Sequence, residues 1–168
     1  MDIKIKLLEA ADWNEWHPLR LEALQAEPAA FCSSFEEESH WTMQEIQAYL
    51  ERNDILGVWI NDEFIASAGF YRQNSLKTQH KGVLWGLYVK PAYRNQGIAS
   101  QLISAIITLA RAQVTQLHLM VTANNPNAMM LYQKHGFKIY GTEPHALKIE
   151  QDFFDQHLMV LTFLDLLY

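Results

Sequence analysis

The sequence has a single cysteine, few basic residues and no long apolar run, and each of these shortages excludes a class of protein. Cys32 stands alone among 168 residues, so no internal disulfide can form, which suits a reducing cytoplasm. We expect Cys32 to be a small buried or half-buried thiol. The seven histidines show no metal-ligand spacing, so no metal is expected.

Charge and hydropathy exclude two kinds of partner. Lys and Arg number 13 against 19 Asp and Glu, and this net charge of −6 argues against a general nucleic-acid surface. The N-terminus, "MDIKIKLLEA", does not form a signal peptide, and no apolar stretch approaches a bilayer span, so no membrane partner is expected. With 49% hydrophobic residues the chain can build a core, and we expect one domain over residues 1–168, in the cytoplasm.

The hydrophobic pattern changes period along the chain and predicts an α/β (mixed α+β) fold. Period-two or fully apolar runs indicate strands and helical spacing indicates helices, in the order β-α-α-β-β-β-α-β-α-β-β. Asp12 is expected to cap the first helix, and Thr42 with Glu45 forms a capping box for the second. Pro126 and Gly136 suit the two ends of the last predicted helix. The connection "EPAAFCSSFEEES" is expected to be irregular.

The stretch "YVKPAYRNQGIAS", residues 88 to 100, joins a strand to a helix through Arg94 and Gly97. A helix N-terminus has free N–H groups and a partial positive charge, and it binds phosphate where the backbone can be approached closely. Arg94 adds a donor fork that suits phosphate oxygens. Taken alone, the stretch fits a pyrophosphate site and a plain turn with a solvated arginine equally well. The second glycine-lysine of an ATP-type loop and the G-x-G-x-x-G of dinucleotide folds are both missing.

Two stretches in sequence carry a family resemblance. Residues 94–99, "RNQGIA", are similar to the R/Q-x-x-G-x-G/A signature of the GNAT (GCN5-related N-acetyltransferase) family, and residues 121–137, "VTANNPNAMMLYQKHGF", resemble its next strand and helix. The second stretch contains N-x-x-A at Asn125 and Ala128, then L-Y at Leu131 and Tyr132. The resemblance implies the GNAT fold: a mostly antiparallel mixed sheet of about seven strands with a splayed parallel pair, flanked by about four helices.

The resemblance also implies a cofactor site. Acetyl-CoA, as co-substrate, would lie between strands 83–89 and 117–122, and Asn125 would contact its pantetheine arm or thioester end. Tyr132 matches the general acid that protonates the departing thiolate. The remaining implied cofactor-binding residues are the strand residues Leu87, Tyr88 and Val89, and the turn residues Arg94, Asn95, Gln96, Gly97, Ile98, Ala99 and Ser100. Without the resemblance, Tyr132 also fits a core aromatic and Asn125 a simple helix cap.

The implied activity is acetyl transfer from acetyl-CoA to a primary amine of a small molecule or peptide, by direct attack on the thioester. The alternative is a non-catalytic acyl-CoA-binding or sensor module with the same fold, because the strand "KGVLWGLYV" has no carboxylate to serve as a base. Candidate bases are Glu36, Glu37, Glu38, His80, His118 or a water held by the backbone. For each single residue a solvated surface position is the favoured interpretation, and for His118 a place in the core of its apolar strand.

The acceptor amine is not identified by the sequence. The acids of "FEEES" either attract a cationic amine or form a solvated charge run. Trp41, Trp59, Trp85 and Tyr71 fit an acceptor pocket or a core. The C-terminal hairpin resembles a part that often helps form a dimer in related proteins, and the apolar tail "LTFLDLLY" adds a weak indication of a homodimer.

Overall fold

The computed structural model describes residues 2–163, in which the period-two segments pair into one seven-stranded sheet. The spatial order is β1-β2-β3-β4-β5-β7-β6, and every pair of neighbours is antiparallel apart from β4 and β5. This architecture confirms the predicted mixed sheet. The strands are β1 Ile3–Leu7, β2 Asp54–Ile60, β3 Glu63–Arg72, β4 Lys81–Val89, β5 Gln116–Thr122, β6 Lys138–Ile149 and β7 Asp152–Thr162.

Within the described residues five α-helices accompany the sheet, against about four expected. The additional one is a single turn within the segment predicted to be irregular, where Ser34 and Glu37 form a capping box. The box at Thr42 and Glu45 is present as predicted. The helices are α1 Trp13–Ala26, α2 Phe35–Glu38, α3 Met43–Arg52, α4 Ile98–Arg111 and α5 Pro126–Lys134.

Two details of the prediction are wrong. Asp12 occupies the N-cap position of α1, but its carboxylate makes no capping bond there. It accepts hydrogen bonds from the Glu9 backbone N–H and from Lys6 Nζ instead, which compete for the same oxygens. Cys32 is exposed rather than buried, because it lies in the surface connection between α1 and α2.

The apolar side chains form two cores on opposite faces of the sheet, because successive residues of a strand point to opposite sides. One core packs α4 and α5 against the sheet around Leu102, Ile103 and Ile106. The other packs α1 and α3 around Trp16 and Leu50. Helices on both faces leave the ends of the central strands as the place where a ligand can approach.

The parallel strands β4 and β5 separate soon after they meet. Their register pairs residues 81–83 with residues 116–118 and goes no further. Between Ser67 and Gly69 the register with β3 shifts, so that Gly86 and Leu87 of β4 face one residue of β3. Gly86 has φ 66° at this bulge, a conformation that favours glycine. A bulge bends its strand, and it lies where β4 leaves β5. The predicted splayed pair is therefore present.

No helix within residues 2–163 is long and apolar enough to cross a membrane. The prediction that the tail "LTFLDLLY" contributes to a dimer concerns mostly residues 164–168, which lie outside the described residues.

Candidate active site

A cleft of about 780 Å³ opens where β4 and β5 part. Its walls are the C-terminal ends of the two strands, the turn before α4, the first turn of α4, α5 along its length, and the connection after α1. Of the predicted site residues, all but Gln96 line it: Leu87, Tyr88, Val89, Arg94, Asn95, Gly97, Ile98, Ala99, Ser100, Asn125 and Tyr132. The Gln96 side chain is exposed and donates to the Ala92 carbonyl.

The turn before α4 presents backbone N–H groups to the cleft. Gly97 is the N-cap in the left-handed conformation, with φ 79° and ψ 6°. The first helical hydrogen bond that reaches back to it comes from Gln101, which leaves the N–H groups of residues 98–100 free. A Cβ built on Gly97 would meet nothing within 4 Å, so the space beside this N-cap residue is open. The geometry fits an anion such as pyrophosphate.

Arg94 lines the cleft, but its side chain bonds to groups outside the turn that carries the free N–H groups. Its Nε donates to the Val89 carbonyl at 2.9 Å, and its Nη2 lies 3.0 Å from Glu27 Oε1. The guanidinium also stacks over the Tyr88 ring, 5.4 Å from its centroid. The Arg94 side chain therefore links the end of β4 to the connection after α1.

Tyr88 lines the cleft, and its side chain packs in the core beneath α1. Its hydroxyl donates to Glu22 at 2.9 Å, and burial together with this carboxylate raises the pKa of Tyr88 to about 12. Tyr88 can therefore contribute to a cofactor site mainly through its backbone.

Tyr132 lies on α5 with its ring edge-on against Phe137, and the residue is 8% exposed. Burial raises the pKa of its hydroxyl, which therefore keeps its proton at neutral pH. The hydroxyl has no hydrogen-bond partner among residues 2–163. It is also not fully buried, because Trp85 Nε1 is the only fully buried side-chain nitrogen or oxygen of this range that lacks a partner. The Tyr132 hydroxyl is thus in contact with the cleft and free to donate there.

Asn125 caps α5, with its Oδ1 accepting from the Ala128 N–H at 3.2 Å. Capping occupies the oxygen and leaves the amide nitrogen available, so the cap and a ligand contact are compatible.

None of the five candidate bases lines the cleft. Glu38 is buried and forms a bidentate pair with Arg20 at 2.9 and 3.0 Å, and Glu37 caps α2 through Ser34. Glu36 is exposed on the same turn.

The two histidines among the candidates lie at the far end of the parallel pair. His80 precedes β4, and its carbonyl accepts from residues 115 and 116. His118 contacts Gln116 and Tyr140, and burial lowers its pKa. Within residues 2–163, His, Cys, Asp and Glu side chains form no group of three that could hold a metal.

Sequence reasoning missed the connection after α1 as part of the site. Glu27 lines the cleft, and the Thr122 hydroxyl at the end of β5 donates to the Ala29 carbonyl, which fixes the connection across the cleft. The available signal was the position of Glu27 between a predicted helix and Pro28, at the start of the connection that ends in the acids of "FEEES". Lys134, at the end of α5, was missed as well.

Among the aromatic candidates for an acceptor pocket, only Trp85 lines the cleft within the described range. Trp41 stacks on His17, Trp59 is buried and donates to Glu15, and Tyr71 is exposed on β3.

Solved structures share this fold over nearly their whole length. The acetyltransferase of the GNAT family from Streptococcus pneumoniae superposes with a TM-score of 0.83, at 24% identity, over 96% of this chain and 99% of that one. The N-acetyltransferase from Staphylococcus aureus Mu50 gives 0.85 at 22% identity, over 98% and 100% of the chains. The yncA protein from Salmonella typhimurium, solved with its cofactor acetyl-CoA, gives 0.85 at 17% identity, over 98% and 96%.

Sequence comparison assigns the family. The model of the acetyltransferase (GNAT) family matches residues 13–137, and the chain belongs to this family. A curated relative, the human cysteine-rich protein 2-binding protein, is 42% identical over 71 residues. These residues make up 42% of this chain and 8% of that relative, so the chain spans only a small part of it.

Proposed function

We propose that the protein is an acetyl-CoA-dependent N-acetyltransferase that acts on a primary amine of a small molecule or peptide. Residues 1–168 would form a single catalytic domain, working in the cytoplasm. The observation that carries the proposal is the pairing, in one cleft, of a glycine turn with free N–H groups and a tyrosine hydroxyl that has no hydrogen-bond partner among residues 2–163. The first group fits a pyrophosphate and the second fits a leaving thiolate.

The residues present fit acetyl-CoA along the whole cleft. Beyond residue 83, β4 has no pairing with β5, so the backbone at Leu87 and Val89 is available to amides of the pantetheine arm. The N–H groups of residues 95–100 would hold the pyrophosphate, with Arg94 beside them, and the Asn125 amide would contact the arm. When bound, acetyl-CoA supplies an activated acetyl group as a thioester.

Acetyl transfer requires proton transfers, in which residues of this chain would take part. The amine nitrogen would bond to the acetyl carbon as the carbon–sulfur bond breaks, and the amine would pass one proton to solvent water. Tyr132, which burial keeps protonated at neutral pH, would donate its hydroxyl proton to the departing sulfur and regain a proton from solvent. A backbone N–H of β4, which we assign to Leu87, would hold the thioester oxygen as it gains charge.

A non-catalytic acyl-CoA-binding module is the second candidate. It is favoured by one observation, that none of the five candidate bases reaches the cleft. Steady release of free CoA with an amine separates the two, since a binding module turns nothing over.

The proposal is tested by thermal melting and by CoA release. Saturating acetyl-CoA should raise the melting temperature. Tyr132→Phe should lower kcat at least about a hundredfold, the scale of general acid catalysis, while acetyl-CoA affinity stays near that of the parent. Tyr140→Phe is the matched control, because Tyr140 is 56% exposed and lies outside the cleft. No thermal shift, or equal losses of affinity and turnover in Tyr132→Phe, would overturn it.

A further inference from the structure

One carboxylate faces the cleft. Among the residues lining it, within the described range, Glu27 is the sole acid, and no histidine accompanies it. The cations in the lining are Arg94 and Lys134. A charged acceptor therefore meets a single negative side chain at this site.

The position of Glu27 is held by the backbone. It follows α1, its N–H donates to the Ala23 carbonyl at 3.0 Å, and the bond from Thr122 to Ala29 fixes the next turn. Since α1 packs on the sheet face opposite α4, Glu27 reaches the cleft from the side opposite the helix that carries the free N–H groups. An acceptor must approach from this side, because the proposed cofactor occupies the other.

The charge of Glu27 is balanced by Arg94 at 3.0 Å, in a pair whose side chains are 38% and 39% exposed. A pair this open to solvent is weakly held and can exchange partners. The pyrophosphate of acetyl-CoA carries more charge than one carboxylate, and Arg94 directly precedes the turn proposed to hold it. Cofactor binding would draw Arg94 toward the phosphates and leave Glu27 without a cation.

We propose that Glu27 binds an ammonium group of the acceptor, and that acetyl-CoA makes it available by taking Arg94. The proposal rests on the proposed function. An amine must be neutral to attack, whereas Glu27 best holds a group that stays charged. The acceptor class is therefore a diamine or oligoamine, with one neutral nitrogen that reacts and a second, cationic nitrogen held by Glu27.

The kinetic test compares 1,4-diaminobutane and spermidine with 1-aminobutane in the CoA-release assay. The parent should show kcat/KM at least about tenfold higher for the two oligoamines, the effect of one charge-assisted hydrogen bond. Glu27→Gln should lose this preference, because its KM for the two oligoamines rises toward the KM for 1-aminobutane. Glu22→Gln is the control, since Glu22 lies on α1, outside the cleft lining, and as glutamine can still accept the hydrogen bond from Tyr88.

A binding test covers the case in which chemistry is slow. Spermidine titrated into the protein by calorimetry should bind about tenfold more tightly with CoA present than without it. Glu27→Gln should remove this difference and bind CoA as tightly as the parent or more so, because Arg94 is then free.

Each outcome distinguishes the two proposals. The proposed role of Glu27 is overturned, and the proposed function is not, if Glu27→Gln keeps the preference for oligoamines. The same holds if the parent binds spermidine equally tightly with and without CoA. Failure of acetyl-CoA itself to bind overturns the proposed function.

Discussion

A substitution at Gly97 tests two effects that can be measured separately: strain in the backbone of the free protein, and obstruction of the proposed pyrophosphate site. Its φ of 79° lies in the left-handed region, and an added Cβ would touch nothing within 4 Å. Gly97→Ala therefore adds conformational strain without a steric clash in the free protein. The same Cβ would be added at the N-cap, next to the free N–H groups of residues 98–100 that are proposed to hold the pyrophosphate.

The expected loss of stability follows from the backbone alone. A left-handed conformation costs an alanine about 1–2 kcal/mol relative to the usual helical one. For a chain of this size, each kcal/mol shifts the melting temperature by about 2–4 °C, so Gly97→Ala should melt roughly 2–8 °C lower. The loss of acetyl-CoA affinity should be larger than this strain explains, about tenfold or more, because the methyl group blocks close approach to the helix end.

Calorimetric titration with acetyl-CoA at a temperature where both proteins are folded measures affinity, and scanning calorimetry without ligand measures stability. Gly141→Ala is the control, since the nearest atom to its Cβ is Leu158 Cδ1 at 3.7 Å and it lies outside the cleft. That variant should bind acetyl-CoA normally. An unchanged affinity in Gly97→Ala would refute the placement of the pyrophosphate, and an unchanged melting temperature would refute the strain argument.

Three other perturbations test the structure around the cleft. Glu38→Gln should cost about 3–5 kcal/mol in denaturant unfolding, because it leaves Arg20 charged and buried, and replacing both by Met should recover most of the loss. Thr122→Val should cost about 1 kcal/mol and speed amide exchange in the connection after α1, since one carbonyl loses its donor. The pKa values of His118 and His135 are lowered by burial, so the folded state binds fewer protons than the unfolded state, and stability should fall as the pH drops from 7 to 5; replacing both by Gln should flatten the slope.

The fold could be predicted because local signals and the core agreed. The capping box at Thr42 and the terminal positions of Pro126 and Gly136 are local, and the structure has them where the sequence places them. The capping box at Ser34 has the same pattern, but it opens only a single turn of helix, too short for a periodic signal.

Features set by distant partners could not be predicted in this way. The carboxylate of Asp12 is taken up by Lys6 and the chain before it, and no propensity encodes that competition. The pair between Glu27 and Arg94 joins residues 67 positions apart, through the way α1 crosses the sheet. The sequence places Arg94 in the turn between a strand and a helix, but it does not show that the arginine side chain has an anionic partner.

The contact between β4 and β5 is short, so the single sheet has a narrow junction between two parts. β1–β4 and β5–β7 are joined by backbone pairing over residues 81–83 and 116–118, together with the bonds from residues 115 and 116 to the His80 carbonyl, and side chains of α4 pack against the sheet beneath them. The unpaired strand ends can thus change their separation by bending about that short junction, at little cost in hydrogen bonds. A molecule lying between them would act as a missing strand, stiffening the junction and coupling the motions of the two halves.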